Sequence, residues 1–147
     1  MWSAEAVFVC ALGLLGRSAS SLPPVNFVEH APPGASALAQ GYVLRTAPQQ
    51  ITLVTSTEAF TNARSAVTPC LDVEALREIA SVIVHEEWHV RHGPGEAAAY
   101  DAQLTALLSF GAEQDGALYH KIFRAKLAVV AAERRNARAQ MLARSGR

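Results

Sequence analysis

Residues 85 to 89 read His85-Glu86-Glu87-Trp88-His89, an H-E-x-x-H pattern. On a helix of 3.6 residues per turn, positions i and i+4 share a face. Two imidazoles so placed can both reach one zinc ion, with bonds of about 2.0–2.1 Å. Glu86 falls roughly 100° around the helix from His85. That is too far round to ligate easily, but it suits acceptance of a proton from a metal-bound water. A metal lowers the pKa of such a water from ~15.7 to about 7, so a carboxylate is a sufficient base. The pattern therefore points to a nucleophilic hydroxide at neutral pH, with Glu86 as the catalytic base. The plain alternative is two ordinary histidines on a half-buried helix face. An apolar, capped helix around the pattern favours the metal.

Zinc needs a third protein ligand and an open fourth position. Glu96 is the first choice, because Gly93-Pro94-Gly95 is a tight reversal that can fold a second helix back on the first. Its carboxylate would then project from that helix's first turn, where a carboxylate is also favoured for reasons unrelated to metal. His92 is the rival, on the same face as His85 and His89 but about 10 Å along the axis from His85. Asp101 and Glu113 are fallback ligands. Tyr100 and Gln103 lie one and two turns beyond Glu96 on one stripe. Tyr100 would donate a hydrogen bond to the oxyanion of a tetrahedral intermediate, or else serve as an amphipathic core residue. Trp88 reads as core packing. His120 is a candidate for the site wall, although a lone helical histidine is usually structural.

These residues need elements to position them. Asp72 is a good N-cap, and Leu76, Ile79, Ala80, Ile83 and Val84 recur at helical spacing. This helix is expected to run to about Arg91 and stop at Gly93-Pro94-Gly95. A second should start near Glu96, continue through Leu108 and end at Gly111, with Ala97-Ala98-Ala99 allowing close packing. A last helix is expected over residues 116–143, with Leu118, Ile122, Ala125, Val129 and Ala132 on its buried side. Upstream, residues 4–16 read as a short apolar helix that Arg17 closes. Val25 to Val28 suits a strand, and residues 31–36 suit a loop. Tyr42-Val43-Leu44 and Ile51-Thr52-Leu53-Val54-Thr55 are strand-like, with a turn expected at Ala47-Pro48-Gln49-Gln50. Residues 57–69 suit a loop with a helical turn.

At 147 residues the chain is long enough for a single domain, residues 1–147, with a core. Half its residues are apolar and 18% are charged, a globular composition. Lysines and arginines equal the acids at 13 each, so net charge gives no argument for nucleic acid as a partner. The arginines after Lys121 (Arg134, Arg135, Arg138, Arg144, Arg147) read as a solvated face and basic tail. The longest apolar run, residues 6–16, is far short of a transmembrane span. It reads as a short packed helix or as the core of a signal peptide, whose expected basic start is missing. That slightly favours the cytoplasm over secretion. Cys10 and Cys70 are too few for a disulfide framework, and a bridge between them is possible on sequence grounds but has no support there.

The stretch from His85 to Tyr100 resembles the zincin metallopeptidases, in particular the gluzincin type, whose third ligand is a glutamate on a following helix. The matching residues are His85, Glu86, His89 and Glu96. The resemblance implies zinc at His85, His89 and Glu96, Glu86 as general base, and hydrolysis of a peptide or protein substrate. It also implies that a sheet edge near the active-site helix, here Ile51 to Thr55, receives the substrate strand. The short spacing from His89 to Glu96 looks more like that of small bacterial proteins with an E-x-x-A on the next helix than like the large gluzincins. The metzincin pattern is absent, since Gly95 stands where its third histidine would be. Cys70 faintly resembles the upstream cysteine ligand of peptide deformylases, but lies some four turns from His85.

The expected fold is α+β and mainly helical, with a small sheet packed on the active-site helix. The leading functional expectation is a minimal zinc-dependent metallopeptidase. The alternative is a catalytically silent zincin-like module that holds metal for a regulatory or binding role. A third reading is a metal-free helical interaction protein using its basic last helix.

Overall fold

The computed structural model describes residues 1–33 and 39–146. Part of the loop expected at residues 31–36, and Arg147 of the basic tail, lie outside them. The fold is α+β and mainly helical, as expected, with five α-helices and one three-stranded sheet among the described residues. No helix is long and apolar enough to cross a membrane among the residues described.

The first helix, α1 (Ala4–Leu15), begins where the Ser3 side chain accepts a bond from the Ala6 amide at 3.1 Å. It ends at Gly16, whose φ of 63° is easy only for glycine, and the Arg17 amide returns to the Leu12 carbonyl. Arg17 therefore lies beyond the helix instead of closing its last turn. Its guanidinium instead makes a two-pronged pair with Glu87, at 2.5 and 2.8 Å.

The strands are β1 (Val25–Val28), β2 (Gly41–Leu44) and β3 (Ala47–Val54), in the order β1-β3-β2. β1 runs parallel to β3 and pairs Val25 with Ile51 through Val28 with Val54. β2 runs antiparallel to β3 and carries an irregularity between Tyr42 and Leu44. The turn between β2 and β3 is Arg45-Thr46, and residues 47–50, expected to turn, form the start of β3. Pro48 is tolerated there because β1 reaches β3 only from Ile51 onward.

Three helices follow the sheet: α2 (Glu58–Ser65), α3 (Val73–His92) and α4 (Glu96–Ser109). α3 opens as expected on Asp72, whose carboxylate accepts from the Ala75 amide at 3.0 Å. The main core gathers Val7 and Ala11 of α1, Ile51 and Leu53 of β3, Ala63 of α2, and Ile79, Ala80 and Ile83 of α3. Each large aliphatic buried there contributes about 1.5–3 kcal/mol. A disulfide joins Cys10 on α1 to Cys70 just before α3, with Cα atoms 5.3 Å apart.

The last helix, α5 (Ala117–Ser145), packs on α4 through Leu118 and Ile122, which meet Leu104 and Leu107. Ala125, Val129 and Ala132, expected to be buried, are only partly covered. At 1.5 Å per residue α5 is about 44 Å long and α4 about 21 Å, so α5 runs past its support. From Glu133 to Gly146 every residue is exposed, and the arginines of this stretch are solvated.

Candidate metal centre

The last turns of α3 carry His85 and His89, and the first turn of α4 carries Glu96. Gly93 (φ 83°) and Gly95 (φ 139°) reverse the chain between them with backbone angles that disfavour a side chain. A Cβ on Gly95 would also lie 3.3 Å from the Trp88 ring. The reversal brings Glu96 against both histidines. Its Oε2 is 3.2 Å from His85 Nε2, its Oε1 is 3.0 Å from His89 Nε2, and the two Nε2 atoms are 3.2 Å apart. Ligand atoms of a tetrahedral zinc site stand about 3.4 Å apart, given bonds of about 2.1 Å. Two imidazoles and a carboxylate at these separations are therefore placed to hold a metal ion.

The surroundings orient these groups. His89 Nδ1–H donates to the Gly93 carbonyl at 3.0 Å, since a carbonyl can only accept. His85 Nδ1 meets Gln103 Oε1 at 2.9 Å, deep in the interior. The Tyr100 ring stands edge-on to the His85 ring, with centroids 4.5 Å apart.

The charges respond to each other. Hydrogen bonds from His85 and His89 hold the Glu96 carboxyl down at about 2, against an opposing push from burial. The bond to Glu96 raises His89 to about 9, with burial working the other way. Glu86 is 6% exposed, and burial raises its pKa to about 7, with the two histidines opposing and Glu96 adding to the rise. Its Oε1 is 4.0 Å from His85 Nε2, beside the convergence point and outside the ligand set. Burial raises the Tyr100 hydroxyl as well, assisted by Glu96 and Glu86.

Of the candidates read from sequence, His85, His89, Glu96, Glu86 and Tyr100 come together. His92 does not: it is exposed and packs on Trp88, ring centroids 4.9 Å apart. Its position one helical turn past His89 carries it beyond the convergence point. Asp101 pairs with Lys126 at 2.5 Å, and Glu113 and His120 are exposed. Cys70 is bound to Cys10 and is no ligand. Trp88, read as core, is only partly buried and lines the reversal.

The sheet edge needs correction. Ile51 to Val54 is in the central strand, paired by β1 on one side and by β2 on the other, and the Thr55 amide is bonded to Val28. No edge is open there because the strand on either side fills it. β2 instead is the outer strand nearest the site. A Cβ on its Gly41 would lie 3.1 Å from Glu86 Cγ, Val82 Cγ1 and the Thr52 carbonyl oxygen. Sequence reading also missed Gly41 and the roles of Gln103 and Ser81. The available signal was Ser81, a lone hydroxyl in the apolar run of α3 one turn before His85, which had to find a partner.

Searches with this chain match no family model, no curated protein and no solved structure.

Proposed function

We propose that this chain is a minimal zinc-dependent metallopeptidase with His85, His89 and Glu96 as ligands and Glu86 as general base. The observation that carries the reading is the convergence of two Nε2 atoms and one carboxylate beside a second, buried carboxylate that ligates nothing. Two nitrogens and one carboxylate oxygen, leaving a fourth position open, form the donor set of a catalytic zinc site. A zinc ion bound there supplies a Lewis acid and an acidified water.

The chain's own residues do the rest. Glu86, shielded from solvent, accepts the proton of the attacking water and returns it to the departing amine nitrogen. A carboxylate whose pKa is raised by burial suits both transfers near neutrality. The Tyr100 hydroxyl hydrogen-bonds the oxyanion of the tetrahedral intermediate. The outer edge of β2, beside Glu86, aligns an extended peptide by backbone hydrogen bonds. Because structural disulfides persist in oxidising surroundings, this reading favours an oxidising compartment over the cytoplasm suggested by the N-terminal residues.

The test is zinc per chain on protein never exposed to chelator, together with cleavage of a peptide library. Wild type and His92→Ala should carry zinc, and Glu96→Ala should lose it. Glu86→Gln should keep zinc and lose hydrolysis by at least about 100-fold. Absence of zinc from wild type would sink the reading. Zinc-loaded wild type no more active than Glu86→Gln would leave the site holding metal without catalysis.

A further inference from the structure

Gln103 reaches into the interior from α4, and Ser81 faces it from α3; they are 3% and 0% exposed. The direction of each bond they make follows from the one before. Ser81 Oγ is 2.7 Å from the Glu78 carbonyl oxygen, which can only accept, so the single hydroxyl proton is committed there. Toward Gln103 Nε2, 3.1 Å away, Ser81 offers only lone pairs, so the amide nitrogen donates. The other end of that amide is then its oxygen, at 2.9 Å from His85 Nδ1. An amide oxygen cannot donate. His85 Nδ1 must therefore carry a proton, which leaves Nε2 as the nitrogen that faces His89 and Glu96 and the one a metal would take.

We infer that Gln103 is a positioning residue that sets the tautomer and ring orientation of His85, and that Ser81 acts by orienting Gln103. The inference deepens the metallopeptidase reading and rests on it for metal affinity, but not for the tautomer, which is a property of the metal-free chain. His89 Nδ1 is held in the same way by the Gly93 backbone carbonyl, which no side-chain substitution removes. Gln103 is thus the place where the device can be broken. Gln103→Leu removes the acceptor and fills similar space, while Ser81 keeps its bond to Glu78. Partners of this kind, bonded to the far nitrogen of a ligand histidine, are worth about 10- to 100-fold in metal affinity.

The experiment uses the full chain with ¹⁵N-labelled histidine. Long-range ¹H–¹⁵N correlation of the metal-free protein reads the His85 tautomer, and competition with a chromophoric chelator reads zinc affinity. Wild type should show His85 protonated on Nδ1. Gln103→Leu should lose that preference and bind zinc about 10- to 100-fold more weakly. Ser81→Ala, which touches neither ring nor metal, should move both readouts the same way by less, with an unchanged circular-dichroism spectrum. It also decides the matter if Gln103→Leu does not fold. A wild-type His85 without a proton on Nδ1, or folded variants with that nitrogen's protonation and zinc affinity unaltered, would overturn the inference. The expected tautomer and its loss in Gln103→Leu, in a wild type that takes up no zinc, would uphold Gln103 while removing the metallopeptidase reading.

Discussion

Glycine decides the reversal that makes the site. Gly93 and Gly95 hold φ values of 83° and 139°, and the separation of Glu96 from His89 depends on them. Replacing either by alanine should destabilise the fold by about 1–3 kcal/mol, the cost of a non-glycine residue in such a region. Gly95→Ala should be the worse of the two, since its Cβ would press on Trp88, whereas Gly93 has open space around it. Urea denaturation would rank them. A midpoint for Gly95→Ala equal to wild type would show that the reversal is softer than its angles imply. Glu86 makes the opposite point: the role proposed for it follows from what it does not touch. Buried and outside the ligand set, it is free to take a proton.

Between elements, Glu87 ties the fold together. It faces away from the ligands and joins the loop after α1 to α3 through Arg17, with Arg91 adding a bond at 2.9 Å. Burial pushes the Glu87 pKa up, but the hydrogen bonds and charges of Arg17 and Arg91 outweigh it, and the pKa is lowered. A lowered carboxylate pKa means stability that is full above the ordinary value near 4.5 and is lost as pH falls through the folded value. Arg17→Met should accordingly cost about 1.5–3 kcal/mol near neutral pH. The difference from wild type should shrink as the pH drops below about 4. Unfolding free energies of both proteins across this range would check it; a penalty independent of pH would mean that Arg17 matters for packing rather than for its charge.

For the whole molecule, the disulfide is a covalent tie across the fold. It spans 60 residues and fastens α1 to the entry of α3. In the chain-entropy account a loop of that size is worth about 4 kcal/mol against the reduced chain. The Cys10→Ala/Cys70→Ala double variant should lose about that much stability and melt earlier, with any zinc content per folded chain unaltered because neither cysteine belongs to the His85, His89 and Glu96 group. Calorimetry with and without reductant would measure it. A wild type indifferent to reductant would show that packing of α1 through Val7 and Ala11 already suffices.

Much of the site was legible because helical periodicity is local. The 3.6-residue repeat alone puts His85 and His89 on one face and turns Glu86 away from it, and Asp72 and Gly93 mark where the helix starts and stops. The choice between Glu96 and His92 was not local: it turned on backbone angles in Gly93-Pro94-Gly95 that the residue types permit without specifying. Strand pairing is likewise a matter of distant partners. Ile51 to Val54 is strand-like in isolation, but only its pairing with β1 and β2 together makes it central and leaves β2 as the outer strand by Glu86. The same holds for Cys10 with Cys70 and for Gln103 with His85, whose partners lie far along the chain. The sequence by itself determined that His85 and His89 share a face, that Glu86 stands beside it, and which helix bears them, because one turn of helix suffices to place them. Tertiary structure decided which third group joins the two histidines, which strand lies outermost by Glu86 and how His85 is oriented, because each requires two distant segments to meet.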